Sequence, residues 1–188
     1  MITQITTEGV SMNDAKWTSS STAYIAPTSG DPWAREAAAT GSRGTQRLVE
    51  VATVPAPTTV AAALGIPESS DVVVRRRLVL ADDAPVELAD SYYPGAIAAG
   101  TDLAEPRKIP GGAVTLLGSL GYVAADVDEE VSARQPSPSE QRALQLPDGE
   151  PVLILTRRSA TTEGTPFEYS VMTMAARERR LRYQMKAP

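Results

Sequence analysis

The run Val72-Val73-Val74-Arg75-Arg76-Arg77-Leu78-Val79-Leu80 places three cations in a stretch whose branched side chains favour a strand. On a strand, residues two apart project from the same face, so Arg75 and Arg77 point one way and Arg76 the other. Two guanidiniums on one face repel unless an anion sits between them, which suits a clamp for a carboxylate or phosphate. A solvated face, or cross-strand pairing with Glu87 or Asp90, satisfies the same spacing. Arg157 and Arg158 repeat the pattern on a later strand. Two hairpins echo each other, Arg77…Pro85-Val86-Glu87 and Arg157…Pro166-Phe167-Glu168, and on that echo Arg157 is assigned to the Arg75/Arg77 side. Glu168 and Ser170 share one face of the opposing strand, where they offer acceptors to a hydroxyl or amine of a ligand, or form a structural Glu–Arg pair. Gly111-Gly112-Ala113 opens an apolar helix and turns backbone N–H groups toward an anion at its positive end; the same Gly-Gly also makes a tight turn.

Other chemistries are excluded by composition. The chain has 188 residues with no Cys and no His. That removes disulfides, thiolate nucleophiles, Ser-His-Asp triads and the usual zinc and iron sites, so no catalytic or metal-ligating residue and no cofactor is assigned. A formal charge of −5 argues against a surface that is one footprint for nucleic acid. Arg177, Arg179, Arg180, Arg182 and Lys186 form a local basic cluster without an aromatic platform, and strand alternation reads it as an exposed face. Asp126-Val127-Asp128-Glu129-Glu130 lacks the spacing of a calcium loop and reads as a solvated strand edge. The densest apolar run, Val152-Leu153-Ile154-Leu155, is far short of the roughly 18 residues that span a bilayer, and Met1-Ile2-Thr3-Gln4 has no signal-peptide character. The expected location is the cytoplasm.

The elements that must position these groups follow from punctuation and period. Residues 1–44 are rich in Thr, Ser, Gly, Ala and Pro and read as an arm, either flexible or docked through its aromatics, with Trp17, Tyr24 and Trp33 as isolated large side chains. Within it Asp31-Pro32 starts a short helix that Gly41 ends. Residues 45–188 form the domain. A strand from Thr45 to Val54 precedes a helix over 58–64 with a Thr cap and Gly65 as stop. Strands over 71–81 and 85–93 join through Asp82-Asp83-Ala84. Residues 111–121 form a helix, 122–133 a strand, and Ser137 with Glu140 caps a helix to Leu144. Strands over 152–161 and 166–174 make a second hairpin, and 179–185 a last strand in which Leu181, Tyr183 and Met185 alternate with Arg and Gln. The sum is an α+β fold, an antiparallel sheet of about six strands with short helices packed on it.

The order of these pieces resembles the effector-binding UTRA domain of GntR-superfamily transcription regulators, HutC subfamily. The resemblance rests on Arg77-Leu78-Val79-Leu80-Ala81-Asp82-Asp83-Ala84-Pro85-Val86, Ser91-Tyr92-Tyr93-Pro94, Pro110-Gly111-Gly112 with Leu117 and Gly121, Ala143-Leu144-Gln145-Leu146-Pro147, Pro151-Val152-Leu153 with Arg157, and Glu163-Gly164-Thr165-Pro166-Phe167-Glu168-Tyr169-Ser170. It spans about residues 45–186. It implies a chorismate-lyase-like fold and a homodimeric, non-enzymatic sensor of a small, typically anionic metabolite. Such a sensor is coupled to a winged helix-turn-helix, and the 44 residues before the domain carry no such pattern. The expectation is therefore a chain without direct nucleic-acid contact of its own, acting on DNA through a missing module or a partner. Arg77, Arg157 and Glu168 fall on matching pocket positions. Val79, Ala89, Gly112 and Val114 stand where the family often has an Arg, a Glu, a Ser and a Tyr, so a smaller or more apolar effector than a sugar phosphate is implied, or none. A ligand-free module that pairs with a DNA-binding relative, and a chorismate-lyase-like enzyme with Glu168 as acid, are the competing readings.

Overall fold

In the computed structural model, which describes residues 17–25, 31–177 and 179–185, the sequence divides as follows. The elements are β1 (Trp17–Ser19), α1 (Pro32–Ala39), β2 (Gly44–Pro55), α2 (Thr58–Leu64), β3 (Asp71–Ala81), β4 (Ala84–Pro94), α3 (Gly95–Ala98), α4 (Gly112–Ser119), β5 (Asp126–Arg134), α5 (Pro138–Ala143), β6 (Val152–Ala160), β7 (Pro166–Ala175) and β8 (Tyr183–Met185). A turn of 3₁₀ helix, Ser20–Tyr24, follows β1. Lys186 and the side chain of Trp17 lie outside the described residues. Six strands form one antiparallel sheet in the spatial order β2-β3-β4-β7-β6-β5, and β1 pairs with β8 apart from it. The α+β class with about six antiparallel strands and short helices is the architecture observed.

Local chemistry sets the registers. Ala81 pairs with Ala84, so the β3–β4 hairpin turns on Asp82 and Asp83 alone. Both have positive φ, 47° and 67°, the handedness a two-residue hairpin loop demands and one that Asp tolerates. Asp31 caps α1, its carboxylate accepting from the Trp33 amide at 3.0 Å. Ser137 and Glu140 close a reciprocal capping box on α5. Thr58, expected as a cap, is instead the first helical residue of α2 after Pro57, whose fixed φ suits that entry. Two strands are shorter than their alternation predicts. β5 begins at Asp126 rather than Tyr122, because the Tyr122 amide bonds back to the Leu117 carbonyl at 2.9 Å and its ring packs on Phe167. The last strand contracts to 183–185 and leaves the main sheet, its partner being β1, an element without a periodic signal.

The sheet has two unlike faces. On one, Val60, Ala61 and Leu64 of α2 pack on Val72, Val74 and Tyr92, while Leu144 and Leu146 after α5 pack on Val152, Ile154 and Ala175. On the other, Leu103, Ile109 and Leu117 cover Val73, Tyr93 and Phe167 at one end. At the opposite end of that face Trp33 and Ala37 of α1 cover Val79 and Ala89. Gly44 is required where α1 crosses β2: a Cβ there would lie 2.8 Å from the Trp33 carbonyl and 2.9 Å from the Ala37 Cβ. Between the two apolar ends of this second face lies a belt of polar side chains.

Candidate functional site

Register builds the belt. Arg75, Ser91, Ser170, Arg157 and Glu129 stand in one row across β3, β4, β7, β6 and β5. Arg77 is one step along β3 on the same face, and Tyr93 and Glu168 are one step the other way on β4 and β7. A chain of hydrogen bonds links them. Arg77 Nη2 donates to Ser91 Oγ at 2.9 Å, leaving the Ser91 proton for Ser170 Oγ at 2.9 Å, and Ser170 in turn donates to Glu168 Oε1 at 3.2 Å. Tyr93 OH donates to the same carboxylate oxygen at 3.0 Å. Burial first, and the Glu168 charge second, push the Tyr93 phenol far above its ordinary pKa and keep it a donor. The result is a cationic end at Arg77 and an acceptor end at Glu168, separated by two hydroxyls. Among the described residues Arg77 Nε–H is buried with no acceptor, a donor that an incoming ligand can satisfy.

Arg75 does not join Arg77 in a clamp. Its side chain is turned to a loop instead, with Nη1 donating to the carbonyls of Asp102, Leu103 and Glu105 at 3.2, 2.8 and 2.9 Å and Nη2 to that of Arg107 at 2.7 Å. The residue is 5% exposed, and burial pulls its pKa below the ordinary value. Four carbonyls in one guanidinium fork fix the path of residues 102–107, which lead to Gly111. Arg157 faces the Arg77 side as expected, yet its Nε is engaged by Glu129 at 2.7 Å, the two side chains 10% and 6% exposed. Glu129 is thus a buried ion-pair partner rather than part of a solvated edge, and it also accepts from Tyr183 OH at 3.1 Å. Gly111 and Gly112, at φ 75° and 84°, make the tight turn that only glycine adopts readily, and the Gly112 amide is taken by the Ile109 carbonyl at 3.0 Å. Ala113 is half-buried against the Val73/Tyr93 cluster. The structure therefore brings Arg77, Ser170 and Glu168 together, adds Ser91 and Tyr93, and assigns Arg75, Arg157 and the glycines to other contacts.

Ser91 and Tyr93 were missed because the two-residue turn alone would set Asp90 and Tyr92 opposite Arg75 and Val73; a β-bulge between Val79 and Leu80 shifts the pairing by one residue and brings Ser91 and Tyr93 onto the Arg75 face. Glu129 had no signal in the sequence, because its register with Arg157 is set by the β5–β6 pairing across the whole α5 connection.

Ser21, Tyr24, Ile25 and helix α1 lie over this face. Trp33 is 6% exposed and donates Nε1–H to the Leu80 carbonyl at 2.8 Å. Arg179 lies over its ring, 4.8 Å from the centroid, and bridges Glu36 at 3.3 Å and buried Glu87 at 3.2 Å. Arg179 is accordingly a half-buried tie, not a member of a solvated basic face. Burial pushes the Glu87 carboxyl up, against the pull of Arg179 and Arg77. Tyr24 hydrogen-bonds Glu36 and packs beside Trp33, and Ser21 is buried. Among the described residues two small cavities lie beneath them. One of about 10 Å³ is lined by Ile25, Leu117, Tyr122, Ser159, Phe167 and Glu168. The other, about 50 Å³, is lined among others by Ser21, Tyr24, Glu87, Arg157, Met172 and Arg179. The first holds one water at most and the second a few.

Known proteins share this architecture. The family model described as UTRA domain matches residues 39–178. An HTH-type transcriptional regulator of Streptomyces coelicolor is 35% identical over 157 residues, 82% of this chain and 58% of that protein. The HTH-type transcriptional regulator Rv0792c of Mycobacterium tuberculosis is 31% identical over 142 residues, 72% of this chain and 49% of that one. The chain thus spans about half the length of the curated relatives it matches. The crystal structure of the effector domain of PhnF from Mycobacterium smegmatis superposes with a TM-score of 0.67 at 19% identity, over 77% of this chain and 88% of that chain, a likeness of fold. Among the described residues no helix is long and apolar enough to cross a membrane.

Proposed function

The chain belongs to the UTRA domain family, whose members include the effector-binding domains of GntR-family transcription regulators, and from that premise we propose that it is the sensing part of a HutC-type regulator. It binds a small anionic metabolite on the polar face of the sheet and acts through rearrangement of a homodimer. The observation that carries this reading is Arg77, a cation with a buried donor lacking an acceptor, wired through Ser91 and Ser170 to Glu168. A ligand with an anionic group for Arg77 and a hydroxyl or ammonium group for Glu168 matches both ends. The ligand is bound and not transformed, since Glu168 already accepts from Tyr93 and Ser170 and its role is to orient. The homologues are transcriptional regulators, and contact with DNA is assigned to a module or partner other than residues 45–188. Coupling requires that the ligand favour one of two dimer arrangements.

A thermal-shift screen of the purified chain against small anionic metabolites, sugar phosphates included, tests the reading, with Arg77→Ala as control. Binding to the native state raises Tm by linkage. A saturable rise that disappears in Arg77→Ala is the expected result. The internal satisfaction of Arg75 and Arg157 and the small cavities favour a second reading, a ligand-free module that pairs with a DNA-binding relative. No shift with any class from a chain that is a stable dimer would select it.

A further inference from the structure

We propose that residues 20–25 are a built-in strap on the ligand face, and that effector and strap compete for that face so that binding one releases the other. This rests on the reading of Arg77 to Glu168 as the effector site and names how that site is regulated. The strap is held from both sides. Before it, β1 pairs with β8; after it, α1 is docked through Trp33. Between those anchors Ser21 is buried beside Arg157, Tyr24 packs on the Trp33/Val79/Ala89 cluster, and Ile25 closes the cavity whose wall includes Glu168. The segment thus reaches from the Glu87/Arg179 end of the face to the α4 end, over the belt that an effector would contact.

Size and charge make the two occupants exclusive. The cavities left under the strap, about 10 and 50 Å³, are well below the few hundred Å³ that a metabolite site encloses. Ser20-Ser21-Thr22-Ala23-Tyr24-Ile25 carries no charge, so it gives Arg77 no counter-ion. An anion supplies what the strap lacks, and that difference is what can shift the equilibrium. The strap itself rests on buried Ser21, on half-buried Tyr24 and Ile25 and on the Tyr24–Glu36 hydrogen bond, against the entropy of ordering its backbone. A protein whose competent state is only partly populated binds with an affinity reduced by that fraction.

Because the chain has no cysteine, Ser159→Cys places a single thiol in the cavity that Ile25 closes. Alkylation of that thiol by iodoacetamide is measured in the full chain, alone and combined with Ile25→Asp, which sets a second carboxylate beside Glu168, or with Tyr24→Ala, with circular dichroism reporting the fold. Binding of inorganic phosphate is followed by thermal shift in the same proteins and in each with Arg77→Ala. Strap release is expected to speed labelling tenfold or more and to tighten phosphate binding by a similar factor, with Arg77→Ala abolishing the binding and not the labelling gain. Equal labelling rates in folded strap variants overturn the strap. Phosphate bound equally well with the strap seated and released overturns the competition. Faster labelling without phosphate binding in any background overturns the anion-site reading and with it the competition, and leaves the strap as a seal.

Discussion

On the face that carries α2 and α5, Val72, Val74 and Tyr92 meet Val60, Ala61 and Leu64 side chain to side chain. Its charged residue on β3, Arg76, sits toward the rim and pairs with Glu50 and with Asp90. On the opposite face the same strands turn Arg75, Ser91 and Ser170 inward, each under 9% exposed. Burying polar groups is unfavourable unless every one is bonded, so this second face gains less stability per residue than the first. One strand, β3, therefore contributes to a stabilising face and to a recognition face, and a change at alternate positions along it has different consequences.

The widest separation is expected at Arg75. Removal in Arg75→Ala leaves the carbonyls of Asp102, Leu103, Glu105 and Arg107 without their donor in a buried site, a loss of about 3–5 kcal/mol. Urea unfolding measures it. Arg75→Lys should recover little, because one ammonium cannot reproduce a planar fork that reaches four oxygens. A loss below about 1 kcal/mol would mean that residues 102–107 hold their own path.

Leu64→Ala on the helix-covered face removes a side chain only 2% exposed and is expected to cost about 3 kcal/mol as transfer and cavity terms add. Its response to anions in a thermal-shift titration should match the parent chain. Loss of that response would join the two faces energetically and break the contrast between them. Arg77→Met is the converse. It removes the buried donor without an acceptor, so stability should hold within about 1 kcal/mol or rise, while the anion response vanishes. A large destabilisation would place Arg77 with Arg75 as a structural cation.

How far these contrasts were legible depended on distance along the chain. The two faces of β3 follow from alternation, but which β4 residues oppose them is set by the β-bulge between Val79 and Leu80, which moves the register of the Asp82-Asp83 turn by one residue. That Arg75 and Arg77 share a face, and that Glu168 and Ser170 share one, was readable from alternation within each strand. The destination of the Arg75 guanidinium was not, because the loop that receives it lies 27 to 32 residues away and its carbonyls have no side-chain signature. The same limit hid Glu129. Trp33 advertised its need for burial by size alone, but where it would dock was set by Gly44, whose missing Cβ lets α1 approach β2. Arg179 looked like one of several exposed cations until the Trp33 ring and Glu87 took it in.

The smallest expected effect contrasts two carboxyls by the sign of their pH dependence. Glu140, in the first turn of α5, is bonded by Arg134 and by the Ser137 amide, which hold its pKa down to about 2. A carboxyl lowered on folding stabilises the native state above its unfolded pKa, and that contribution fades as pH falls from about 4.5 toward 2. Because Arg134 is half exposed, solvent screening reduces the term to about 1 kcal/mol. Glu87, on the ligand face, is raised by burial, so the folded state holds its proton more tightly than the unfolded chain. Its contribution has the opposite slope: stability rises as pH falls through the elevated pKa and is lost again as pH climbs. Urea unfolding between pH 3 and 8 should show Glu140→Gln flattening the acid limb and Glu87→Gln flattening the limb above it. If both variants flatten the same limb, the buried carboxyl is held charged by Arg179, and the recognition face is electrostatically as settled as the first turn of α5.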